Sequence, residues 1–145
     1  MFRNLLQRLS EPGPERLPEP DERLALAGLL VRIARTDGDY AEAEIRQIDA
    51  ILIRRYGLSP FEVARLRGDA EALEAEAPDT VRFTRALKDA VPIEEREAII
   101  AAAWAVALAD GQRDTDETSL MRLVARMLGI DDTASNRIRL GLEDG

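Results

Sequence analysis

The 145-residue chain reads as an all-α protein, an internally duplicated bundle of seven to eight helices. Three observations predict it. Apolar residues recur at three- and four-residue intervals in every long segment, while no stretch alternates with the period of two that a half-buried strand needs. Helix starters and stoppers (Ser-Pro, Asp-Gly, Gly) stand between those segments. The pattern Asp-Gly-x5-Glu occurs twice, with Asp37 and Glu44 in the first copy and Asp110 and Glu117 in the second, both pairs 73 positions apart.

Residues 1–9 place Phe2, Leu5, Leu6 and Leu9 on one helical face, with Arg3 and Arg8 off it. A Pro- and Glu-rich stretch follows, SEPGPERLPEPDE, which reads as a linker. Residues 1–20 are therefore expected to be a short amphipathic helix plus tether, and 21–145 the helical domain. In residues 21–36, Leu24, Leu26, Ala27, Leu30, Val31 and Ala34 form a stripe broad enough for burial on most sides, and Asp37-Gly38 ends it. A second helix over 41–56 carries Ile45, Ile48, Ile51 and Leu52, with Arg54 and Arg55 in the last turn, where cations suit the helix dipole. Gly57 stops it.

Ser59-Pro60-Phe61-Glu62 is a helix start: a capping serine, proline at the first helical position and a glutamate completing a capping box. That helix runs to about 75. The next spans 79–89, with Val81, Phe83, Thr84 and Leu87 along it. Pro92 opens another, striped by Ile93, Ile100, Trp104 and Leu108 and stopped by Asp110-Gly111. Residues 114–128 follow, with Leu120, Met121, Val124 and Leu128 inward and Gly129 at the end. A last helix begins around 131–133 and frays toward 145.

Composition narrows the function. Cysteine and histidine are both absent, so thiol nucleophiles, imidazole bases and the usual zinc sites are excluded. Any metal is a hard cation on oxygen ligands. A net charge of −8 argues against nucleic acid, which needs a basic footprint. No apolar run reaches the ~18 residues of a membrane span, and no signal peptide is evident, so the expected location is cytoplasmic.

The repeat extends past the acids. Each copy has an apolar helix, Asp-Gly, an acidic loop and a second apolar helix. Each then closes with Gly, an aliphatic residue and a capping residue, Gly57-Leu58-Ser59 and Gly129-Ile130-Asp131. This predicts two pseudo-symmetric helix–loop–helix–turn–helix units joined by the 79–89 helix. The stretches LLVRIARTDGDYAEAEI, EAEAPDTVRFTRALKDAV and LADGQRDTDE, together with the doubled motif, resemble the short stand-alone branch of the TerB family, associated with bacterial tellurite resistance. The resemblance covers about 21–132. It implies an all-helical duplicated domain, a stress-response association and divalent-metal binding, with no implied reaction. Thr36 departs from the family pattern, which has Ala before the first Asp-Gly.

The candidate metal ligands are Asp37, Asp39 and Glu44 in the first loop and Asp110, Asp114 and Glu117 in the second, with Asp116 nearby. The acids end one helix and open the next, an arrangement that aims carboxylates into one mouth for a calcium- or magnesium-like ion. The loops are not EF-hands, because the twelfth position from Asp37 or Asp110 is Ile48 or Met121 rather than a bidentate Glu. The competing reading is structural: Asp-Gly connects helices, first-turn acids complement the dipole, and Asp114-x-x-Glu117 makes a capping box. Ala41 stands where Asp114 does, so capping explains Glu117 better than Glu44. On that reading the protein is an interaction module for a protein partner, with its binding surface elsewhere.

Carboxylate-based hydrolysis is the enzymatic alternative, and it lacks a nucleophile motif beside the acids, which are expected on solvated loops. Lys88, the single lysine, sits near Arg85 and Asp89 as a surface charge. Trp104 reads as core, and Arg82 and Arg85 as a solvated face. Nine residues are marginal as a lone helix. Packing on the body or on a second protomer suits residues 1–9 better than a membrane surface.

Overall fold

A computed structural model describes residues 19–36, 40–77, 80–109 and 115–144. The expected helix over 1–9 and its linker to residue 18 lie outside the described residues. Seven helices occur within them: α1 (Glu19–Arg35), α2 (Glu42–Tyr56), α3 (Pro60–Glu76), α4 (Val81–Ala90), α5 (Ile93–Ala107), α6 (Thr115–Met127) and α7 (Asp132–Asp144). No strand is present among the described residues. Each helix begins and ends within two residues of its expected bounds.

The stop and start signals act as their chemistry requires. Gly57 ends α2 in the left-handed region, φ 66°, and donates its N–H to Ile53 O at 2.8 Å. Gly129 does the same after α6 at φ 78°, and Ile130 N–H closes a Schellman turn onto Ala125 O at 2.8 Å. Ser59 Oγ accepts from Glu62 N–H while Glu62 Oε1 accepts from Ser59 N–H, a complete capping box on α3. Asp131 Oδ1 accepts from Ala134 N–H at the start of α7.

Helix α1 is the centre of the bundle. Ala25, Leu26, Ala27, Leu29, Leu30, Val31, Ile33 and Ala34 have no exposed surface, and the helix touches α2, α3, α4, α5 and α6. Over residues 25–31 the helix is apolar all round and has no solvent face to present, so its neighbours must enclose that stretch. At Gly28 the missing side chain lets the fully buried ring of Phe83, on α4, come close: a Cβ there would lie 2.7 Å from Phe83 Cε1.

On the far side α5 packs on α7. Trp104 is buried in the core as expected, and its Nε1 donates to Ser135 Oγ of α7 at 2.9 Å. Lys88 and Arg85 are exposed. One inward residue was misplaced by periodicity: Ile93, expected on the α5 stripe, is 62% exposed. It is the first residue of α5 and stands outside the bundle, where the helical face exists but nothing packs on it.

Candidate functional site

The first acidic loop leaves α1 at Thr36 and returns at Tyr40. Asp37 and Asp39 themselves lie outside the described residues, as do Asp110 and Asp114 in the second loop. Glu117 falls on the first turn of α6, with its side chain outside the described residues. Glu44 is therefore the candidate ligand whose surroundings are on view.

Glu44 is fully buried. This corrects the expectation of solvated acids. The cause is helical spacing: 44, 48, 51 and 52 share one face of α2, and Ile48, Ile51 and Leu52 are buried on it. Its Oε1 accepts from Ala41 N–H at 3.0 Å. That is half a capping box; Ala41 has no side-chain oxygen to return the bond. The carboxylate sits at the positive end of the α2 dipole, which favours its charge. Removing a carboxylate from water costs several kcal/mol, and the backbone donor and the helix field offset part of it.

Both ends of the loop are pinned to α3 by a network that the sequence did not reveal. At its entrance, Arg35 Nη1 reaches Glu74 Oε1 at 2.7 Å and Glu71 O at 3.3 Å. One turn earlier Arg32 Nε reaches Glu74 Oε2 at 3.1 Å, and its Nη2 donates to Glu74 O and Ala77 O. Glu74 O also accepts from Ala77 N–H at 3.2 Å, and Ala77 is the residue just past α3, so Arg32 adds donors at the C-terminal end of that helix. At the loop's exit, Tyr40 O–H donates to Glu71 Oε2 at 2.7 Å, beneath the Arg35 guanidinium 5.0 Å from its ring. Arg67 ties Glu71 to Asp49 of α2, with Nε 2.7 Å from Asp49 Oδ1.

Burial, then the hydrogen bond to Glu71, holds the Tyr40 phenol well above its usual pKa. The bond to Asp49 raises Arg67, so its charge is permanent. Nothing in a single helix announces this network. Arg32 and Arg35, and Glu71 and Glu74, each lie three apart on one face, and only the pairing of α1 with α3 makes them partners.

Chemically, the loop is a short acidic segment on rigid supports, followed by a buried carboxylate. Hard oxygen donors of this kind suit calcium or magnesium. Among the described residues no three acidic side chains gather as a metal-ligand group. None of the described helices is long and apolar enough to cross a membrane.

No curated protein and no solved structure matches the chain. The sequence model of one family, described as tellurite resistance protein TerB, matches residues 23–140, from the second turn of α1 well into α7. That span takes in both acidic loops, Glu44 and the whole Arg–Glu network, and on it the chain belongs to the TerB family.

Proposed function

We propose that this chain is a non-catalytic, cytoplasmic stress-response protein of the TerB kind, whose Asp-Gly-x5-Glu segments take up a divalent cation such as calcium or magnesium. Asp37, Asp39 and Glu44 would hold the ion at one loop, and Asp110, Asp114 and Glu117 at the other. The bound cation would neutralise the clustered carboxylates and order the loops. The observation that carries this reading is Glu44, a carboxylate kept out of water on the first turn after a braced acidic loop. The lack of cysteine and histidine anywhere in the chain favours binding over catalysis.

A second reading has its own support. The Glu44–Ala41 hydrogen bond is a sufficient structural task for that carboxylate. The loops are then helix connectors in a protein-interaction module, and Phe61, 76% exposed at the start of α3, is a candidate contact.

Thermal unfolding of the chelator-stripped protein, with and without millimolar calcium, magnesium, manganese or zinc, separates the two. An ion at a hundred times its dissociation constant adds about 2.7 kcal/mol, a midpoint shift of several degrees at this size. The cation reading expects a selective shift that Asp37→Asn with Asp110→Asn abolishes. No shift for any ion makes the loops connectors.

A further inference from the structure

Between α2 and α5 lies a mostly apolar cleft of about 510 Å3. Gln47, Ile51, Arg54 and Arg55 line one wall, and Ala98, Ala101, Ala102 and Ala105 the other. Leu142 of α7 closes one side and Ile99 and Leu26 form the floor. The lining positions recur at three- and four-residue steps on both helices, so the cleft runs along them as a groove for roughly two turns. Four alanines keep one wall shallow enough for another backbone to approach.

We propose that the N-terminal segment, residues 1–9, docks in this groove as a helix, with Phe2, Leu5, Leu6 and Leu9 facing Ile51 and the alanine wall. Three observations support this occupant. The first is length. From Phe2 to Leu9 a helix rises about 10 Å, the same rise as from Ala98 to Ala105. The second is spacing. An i, i+3, i+4, i+7 apolar set is the pattern by which a helix fills a groove, and residues 1–9 carry one such set with Arg3 and Arg8 turned away from it.

The third is tether and charge. The groove adjoins the N-terminal half of α1: Leu26 lies in its floor, and Glu22 contacts Arg55 at its lip, Oε1 to Nη2 3.4 Å. Residues 10–18 span up to roughly 30 Å when extended, ample to turn a helix back onto that wall. They carry Glu11, Glu15 and Arg16, a net negative tether complementary to the exposed Arg54 on the rim. The groove also resolves a local problem, since a nine-residue helix is not stable alone in water.

The chain contains no cysteine, so a single spin label can be placed cleanly. Gln7→Cys puts it opposite the apolar face. In the full-length labelled protein, amide resonances of Gln47, Ala98, Ala101, Ala102 and Ala105 should lose intensity while those of α3 and α4 keep theirs. Adding Leu5→Glu with Leu6→Glu should restore them, and because both substitutions lie outside the body its spectrum should otherwise be unchanged. A mixture of labelled, isotope-free chains with unlabelled, isotope-enriched ones should show no loss. Broadening in that mixture would give the groove to a second copy. Broadening elsewhere, or none, would leave the groove without this occupant. Each of those results overturns the proposal.

Discussion

Glu44 is where two tasks fall on one side chain. As a cap it needs only an oxygen facing Ala41 N–H; as a ligand it needs its charge. Glu44→Gln keeps an amide oxygen and removes the charge, while Glu44→Ala removes both. Alanine should cost about 1–3 kcal/mol, the penalty for leaving a part-buried donor unpaired. Glutamine should cost less. Urea unfolding with unchanged m-values would measure both. If the cation reading holds, Glu44→Gln also loses the metal-dependent rise in stability, and under the connector reading it has no such rise to lose. Phe61 and Ile93 are the opposite case: apolar side chains, 76% and 62% exposed, each at the first turn of its helix, where the bundle does not reach.

At the scale of elements, the α1–α4 contact is the tightest constraint. The buried Phe83 ring occupies the space above Gly28, so Gly28→Ala meets it at 2.7 Å. Overpacking of this kind costs about 1–3 kcal/mol, against a helix-propensity gain of about 1 kcal/mol. A net loss of up to roughly 2 kcal/mol is expected, shrinking or reversing when Phe83→Leu is made first; a double-mutant cycle reads the coupling. The helices and their caps were legible because their signals are local. Ser59 and Glu62 find each other across three residues, and Gly57 and Gly129 need no partner to adopt positive φ. What was illegible is what crosses between elements. Arg32, Arg35, Glu71 and Glu74 read as ordinary surface charges until α1 lies on α3. Periodicity marked Ile93's face but not its depth. Glu44 lay on the face of Ile48 and Leu52 all along, yet its charge suggested solvent. The six candidate ligands could be named from the repeat, whereas their mutual placement depends on how the halves of the bundle pack.

The whole molecule keeps both of its tyrosines neutral. Burial and the bond to Glu71 raise Tyr40, while burial, opposed by Arg55 and aided by Glu22, pushes Tyr56 up to about 12. A raised phenol pKa means the folded state holds its protons more tightly. The associated stability is complete below pH 10, the unfolded value, and is lost as pH rises through the folded values. Ultraviolet titration should therefore show almost no phenolate near pH 10, with Tyr56 ionising only around pH 12. Titration of either tyrosine near pH 10 in the intact fold would contradict the packing at Glu71 or Glu22. The enclosure of α1 has one more consequence, in the order of synthesis. The apolar middle of α1, residues 25–31, precedes every described helix that packs on it, and α6 begins about eighty residues later. At translation rates of about 5–20 residues per second, a newly made α1 waits on the order of ten seconds for its last neighbour. During that interval the ribosome displays the centre of the protein as a sticky, unshielded nascent segment, and a chaperone able to grip such a segment would act on this chain before it has a fold.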